Sequence, residues 1–268
     1  MASQTGPPSL RMTHVGGPTV VMELEGWRIL TDPTFDPPGR TYGFGLGTSS
    51  TKTVGPAMEP DAVGPLDVIL LSHDHHADNL DDRGRELLPN ASTVVTTESG
   101  QRRLGLSNAV GLRSGASLRL TAPGRPDLVV RGTPCRHGPP LSRPISGEVV
   151  GFALNIGDNP RVRVWMTGDT VLHRAVRRTA NELDVDVLLV HLGSVQFPIS
   201  GPLRYSMTGN DAIELISRVR PRASVPVHFE GWSHFHEPEA HLRAVLDAAA
   251  PDIRGTLRWL TPGEPQQV

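Results

Sequence analysis

Apolar positions along the chain fall into two regimes. In the first half, short β-rich runs are broken by turn signals: "THVGGPTVVMEL" and "WRILTD" flank "EGW", a hairpin signal. The run "LDVILLSH" is apolar without alternation, as in a strand covered on both faces. It leads into a short helix, "LDDRGRELL", then the strand "STVVTT", the helix "ESGQRRLG", and the strands "ASLRLTA", "DLVVRGTPCRHG", "EVVGFALNI" and "RVRVWMTGD". The second half alternates: helix "HRAVRRTANEL", strand "DVDVLLVHLG", helix "TGNDAIELISRVR", strand "ASVPVHF", helix "EPEAHLRAVLDAAA", strand "GTLRWL". A strand meander followed by alternating helices and strands predicts an α/β protein, with two mixed sheets and helices outside them. With no low-complexity linker and no short repeat, residues 1–268 read as a single domain. Between residues 33 and 65 no periodicity survives. This Gly/Pro-rich segment, carrying Tyr42 and Phe44, is expected to be a loop bordering a pocket.

Polar residues collect where the apolar runs stop. Thirteen residues, Leu70 to Asp82, hold three histidines and four aspartates directly behind an apolar strand. His73, His75, His76 and Asp78 follow "VILLS", His137 follows "LVVRGTPCR", Asp169 follows "RVRVWMTG", and His228 closes "ASVPV". Loops at strand ends are where a rigid scaffold places reactive groups. A lone histidine there is more often a satisfied polar residue than a ligand, but four such ends point to a metal. Imidazole with carboxylate suits zinc and tolerates iron or manganese. Neighbouring histidines can reach one ion, a carboxylate a few residues on a second, and Asp169 can bridge them. Such a pair lowers the pKa of bound water and needs no protein nucleophile.

Composition narrows the partners. The formal charge of −2 gives no general attraction to nucleic acid or anionic membrane. Arginine pairs such as Arg102-Arg103 and Arg177-Arg178 read as solvated helix faces. Lys52 is the one lysine, which reads as codon bias in a GC-rich genome. Cys135 is the only cysteine, so no intrachain disulfide can form. With no apolar run of signal-peptide or membrane-span length, the chain is expected to be cytoplasmic, to lack integral membrane association and to act on a small molecule. Oligomeric state, including a homo-oligomer, is left open.

These residues resemble the metallo-β-lactamase superfamily, over a stretch from "THVGGPTVVMELEGWRILTDPTF" to "VPVHFEGWSHF". Within it the chain is most similar to the branch of ascorbate-6-phosphate lactonase and the N-acylphosphatidylethanolamine phospholipase D type hydrolases. The resemblance implies a four-layer αββα sandwich with the metals at one edge of the two sheets. It implies His73, His75 and His137 at the first metal, Asp78 and His228 at the second, and Asp169 in "TGDT" as the bridge. It also implies cleavage of an ester, lactone or phosphodiester, with Asp78 or Asp169 steering a proton. Two departures stand out. "HDHHADN" is one residue longer than the family spacing, so the second histidine is either His75 or His76. The motif's last histidine is replaced by Asn79, a poorer zinc ligand, for which His76 and His234 are candidate substitutes. The rival readings are a degenerate metal- or ligand-binding protein on the same scaffold and an iron-dependent redox enzyme.

Other residues have two readings each. Cys135, two positions before His137, would share its face in a strand; a small buried residue is the commoner case than a thiolate ligand. His14 in "THVGGP" could line the pocket, although its glycines serve a turn equally well. Asp32 could orient a ligand histidine or cap the turn before Pro33. His191 could line the pocket or support its strand end, and His234 is the better site candidate of "EGWSHFHEP". Tyr205 and Trp232 could shape a substrate pocket or pack in the core. His173, His236 and His241 are expected to be exposed.

Overall fold

A computed structural model describes residues 10–45, 47–140, 142 and 146–268. The chain opens on an antiparallel meander, β1 (Leu10–Gly16), β2 (Thr19–Leu24) and β3 (Trp27–Thr31). The first predicted β-run is thus itself a hairpin, broken at Gly16-Gly17. The next turn places Glu25 and Gly26 at φ 48° and 85°, the paired positive values of a tight hairpin. β6 (Val68–Leu70), β7 (Thr93–Thr96) and β8 (Ala109–Gly111) add in parallel to β3, and the short β15 (Gln266–Gln267) edges β1. The result is a seven-stranded sheet in the order β15-β1-β2-β3-β6-β7-β8.

A second sheet, β14-β13-β12-β11-β10-β9, has six strands. Here β9 (Ser117–Leu120), β10 (Leu128–Pro134), β11 (Val150–Ile156) and β12 (Val162–Met166) are antiparallel. β13 (Val185–His191) and β14 (Ala223–Val227) continue in parallel from β12. The continuous apolar runs resolve into two faces of one strand each. Val68 and Leu70 of β6, with Val187 and Leu189 of β13, enter the core between the sheets. Ile69 packs outward beneath α1 (Asp82–Leu87) and α2 (Glu98–Leu104), with Leu80, Leu88 and Val94. Leu188 and Val190 pack under α3 (Arg174–Glu182), α4 (Gly209–Val219), α5 (Glu239–Asp247) and α6 (Pro251–Arg254). Helices, sheet, sheet and helices make the four-layer αββα sandwich.

Some elements differ from expectation. The segment 33–65 contains a hairpin of β4 (Thr41–Gly45) and β5 (Thr48–Thr51), stabilised by Tyr42 and Phe44 packing on Trp232. "GTLRWL" forms no strand; Leu257 makes a single bridge to Ser224. β10 stops at Pro134, so the period-two argument linking Cys135 to His137 does not apply. His173 is not exposed. It is half-buried at the front of α3, where its ring accepts the Ala175 N–H, and burial, then Arg136 and Arg177, push its pKa down to about 4.

One buried ion pair ties the 33–65 segment to the histidine-rich loop. Asp81 caps α1 by accepting the Gly84 N–H at 2.9 Å, and its carboxylate also receives the Phe35 and Asp36 N–H groups at 2.9 and 2.7 Å. Lys52 Nζ completes the set at 2.8 Å, with both side chains almost fully enclosed. At Gly84 the helix comes so close to Pro33 that an added Cβ would lie 1.9 Å from its carbonyl oxygen. Asp81→Ala is therefore expected to destabilise the protein by about 3–5 kcal/mol, because it leaves a buried ammonium without a counter-charge. Lys52→Met should cost less, since Asp81 keeps three backbone donors. Urea unfolding midpoints of the two variants measure the difference; equal, small shifts would show that the pair does not tie the segment down.

Candidate metal centre

The strands that carry the histidines and aspartates all deliver them to one edge of the sandwich. β6, β10, β12, β13 and β14 end there, followed respectively by His73, His137, Asp169, His191 (the last residue of its strand) and His228. The Ser72 carbonyl accepts the Val150 N–H at 3.1 Å, joining the two sheets where the histidine loop begins. His228 adopts φ 58°, a left-handed conformation uncommon outside glycine. Its N–H is held by the Gly17 carbonyl at 2.9 Å. Gly17 is in turn fixed by Glu230, through its N–H, and by the His14 ring on its carbonyl. His14 thus braces the turn behind His228 and joins neither ligand group.

Two groups of three ligating side chains form at this edge. His73, His76 and His137 present ligand atoms within 4.8 Å of one another, and Asp78, Asp169 and His228 do the same. All six are buried. The groups adjoin: His137 Nδ1 lies 3.3 Å from Asp169 Oδ2. Of the two alternatives at the second histidine, His76 is the one the structure gathers. His75 is turned aside, its Nδ1 3.7 Å from Asp74 and 3.4 Å from Arg103, with its ring against Gly147. Asp74 is buried and pairs with the exposed Arg103, an ion pair that holds that side of the loop; Arg102 and Arg103 both lie on the exposed helix face the sequence suggests.

Electrostatics favour neutral imidazoles in the first group. Burial pushes the His73 pKa well down, His76 to about 3 and His137 to about 4. Neutral imidazole is the form that coordinates a cation. His137 Nδ1 meets the Tyr205 carbonyl at 2.8 Å, which fixes the ring as second-sphere partners of metal ligands do. In the other group burial pushes the Asp169 carboxyl up to about 7, opposed by His228 and aided by Asp78. Burial also opposes the charged form of His228, but Asp169 and then Asp78 outweigh it and raise that ring to about 9.

The residues fit a cation. Both oxygens of Asp169, Oδ1 of Asp78 and Nδ1 of His228 are buried without a hydrogen-bond partner. Orphaned buried acceptors are costly and uncommon in native proteins. Their convergence here has a physical explanation if a positive ion compensates them.

The remaining candidates are distributed around these groups. Asp32 accepts the Ser72 N–H at 2.6 Å and the Asn79 side-chain amide at 3.2 Å, and faces His191 at 3.4 Å. It props the histidine loop from beneath rather than a ligand ring directly. Asn79 points its amide at that support, while its Oδ1 is left unpartnered. His234 Nε2 lies 3.2 Å from Asp78 Oδ2, and the ring is buried against Phe44 and Phe235. Trp232 packs on Tyr42 and Phe44 under Lys52. His236 and His241 are exposed. The Cys135 thiol donates to the Thr167 carbonyl and is kept protonated by burial, so it is no thiolate ligand. Lys52, Asp81, Asp74 and Arg103 support the site without having been singled out as site candidates; each partner lies 29 residues away along the chain, out of reach of local pattern.

Comparison with known proteins agrees with this architecture. Residues 27–229 match the family model described as the beta-lactamase superfamily domain. A UPF0173 metal-dependent hydrolase of Caldivirga maquilingensis is 25% identical over 237 residues, covering 87% of this chain and 88% of its own. One from Carboxydothermus hydrogenoformans is 27% identical over 233 residues, covering 83% and 86%. The crystal structure of a possible metal-dependent hydrolase from Veillonella parvula shares the fold, with a TM-score of 0.79 at 19% identity over 97% of this chain and 100% of that one.

Proposed function

The chain belongs to the beta-lactamase superfamily domain family, and from that premise we propose that it is a metal-dependent hydrolase of small molecules. The observation that carries this reading is the pair of adjoining buried ligand groups with unpartnered carboxylate oxygens. His73, His76 and His137 would hold one ion, and Asp78, Asp169 and His228 the other. The donor set suits zinc first, with manganese and iron as alternatives. Bound there, such ions acidify water and polarise an acceptor oxygen. The relatives named above are metal-dependent hydrolases, which supports the same assignment.

The chain's own groups supply positioning and proton handling. Tyr205 sets the His137 ring through its carbonyl, and Asp32 fixes the loop that carries His73 and His76. Asp78 and Asp169 would both hold the ion, so any proton steering by them would come from carboxylates already engaged there. In the reaction, water adds to the carbonyl or phosphorus centre, the bond to the leaving oxygen breaks, and that oxygen gains a proton. The bond proposed is the ester, lactone or phosphodiester that the sequence resemblance implies; the names of the relatives carry no bond type. No helix among the described residues is long and apolar enough to cross a membrane.

The test is metal content together with turnover on a panel of neutral esters, lactones and phosphodiesters. Chelator treatment is expected to abolish hydrolysis and zinc to restore it. Protein that binds zinc tightly yet turns over no member of the panel would point instead to a non-catalytic binding scaffold.

A further inference from the structure

Two cavities, each of about 240 Å³, meet at His137. One is polar, with Arg113, Arg136 and Glu148 in its walls, and it touches the first ligand group only through His137. The other reaches both His76 and His137 and is walled by Phe44, Phe197, Ile199, Leu203 and Tyr205. Among the described residues no lysine or arginine lines it. Its outer wall has a second peculiarity. Of the large hydrophobic side chains exposed among the described residues, only Val54, Ile199 and Leu203 stand out, at 53%, 73% and 45% exposure. Two of those three line this one cavity. Exposed apolar groups gathered at the mouth of a cleft that ends on ligating side chains are what a binding site for an apolar ligand needs.

We propose that the substrate of this centre carries a compact, uncharged apolar group, seated between the β4–β5 hairpin and the 197–205 segment, with the bond to be cleaved at His76 and His137. This rests on the metal-centre reading above and narrows it: the group seated in this cavity is uncharged and apolar, as the side chain of a neutral acyl compound is. The cavity is smaller than the roughly 300–1,000 Å³ of pockets that enclose a whole drug-sized ligand. It therefore holds one substituent, a short alkyl chain or a single ring, while the reacting group lies at its inner end. Phe44 and Phe197, packed on each other with ring centroids 5.7 Å apart, form one continuous aromatic surface of the cavity. The hairpin that carries Phe44 is placed by the buried Lys52–Asp81 pair, so the cavity wall is anchored rather than freely hinged.

Calorimetric binding of straight-chain alkyl hydroxamates to the zinc-reconstituted protein tests this without requiring turnover. The hydroxamate head engages the metal, and the chain length from acetyl to octanoyl probes the cavity. Affinity is expected to rise about fourfold per methylene until the cavity is full. Leu203→Asp, at a half-exposed position that leaves the core intact, should flatten that rise. Tight binding of acetohydroxamate with no dependence on chain length would overturn the apolar subsite and leave the metal centre standing. No hydroxamate binding and no retained zinc would overturn both readings together. A hydroxamate whose chain ends in a carboxylate and that binds tighter than the alkyl hydroxamate of equal length would overturn the preference for an uncharged group.

Discussion

An Asp169→Ala variant is expected to retain at most half of the parent's metal and to lose about a thousandfold or more in kcat/KM, because several kcal/mol of transition-state stabilisation go with the ion. In the metal-free protein two effects of the substitution oppose each other. Removing the buried carboxyl, whose oxygens lack hydrogen-bond partners, relieves a penalty of about 1–3 kcal/mol, but it also removes the main negative charge facing the buried His228 ring. The metal-free variant should therefore melt close to the metal-free parent. In excess zinc the parent should melt well above the variant, since a ligand that binds only the native state adds about 2.7 kcal/mol at a hundred times its Kd. Elemental analysis and paired melting curves, with and without zinc, read both effects. Unchanged zinc content in the variant would remove Asp169 from the coordination set.

The second large effect separates two adjacent histidines. His76→Ala is expected to lower metal affinity and kcat/KM by about a hundredfold or more, as loss of a ligand should exceed the cost of losing a second-sphere partner. His75→Ala should stay within a few-fold of the parent, because that ring faces Asp74, Arg103 and Gly147. Metal titrations on the two purified variants decide it. Equal losses, or a larger loss at His75, would mean that the loop holds its ions in another arrangement.

Why that choice could not be read along the chain is a matter of periodicity. The strands were readable because each apolar run had to serve two buried layers, as in "LDVILLSH" with Val68 and Leu70 to one side and Ile69 to the other. The site's location was readable for the same reason: five strands ending at one edge bring distant polar residues together. Within the loop, however, residues 73–79 follow neither a 2.0 nor a 3.6 repeat, so nothing local says which of two neighbouring imidazoles turns inward. The β4–β5 hairpin was hidden by a glycine-broken first strand and a short polar second one, whose stabilisation comes from Trp232, far away in sequence. "GTLRWL" shows the converse: its β-like pattern meets only one bridging partner and stays irregular. The support roles of Asp81 and Lys52 depend wholly on a tertiary meeting that neither residue's neighbours announce.

That the chain's single lysine is buried makes it a chemical clock for local opening. An acylating reagent aimed at side-chain amines finds Lys52 only when the hairpin lifts from Asp81, so the acylation rate reports how often the wall beside the ligand groups detaches. Occupancy of the neighbouring cavity should slow that reaction, which offers a label-based screen for ligands that needs neither a known substrate nor a coloured product.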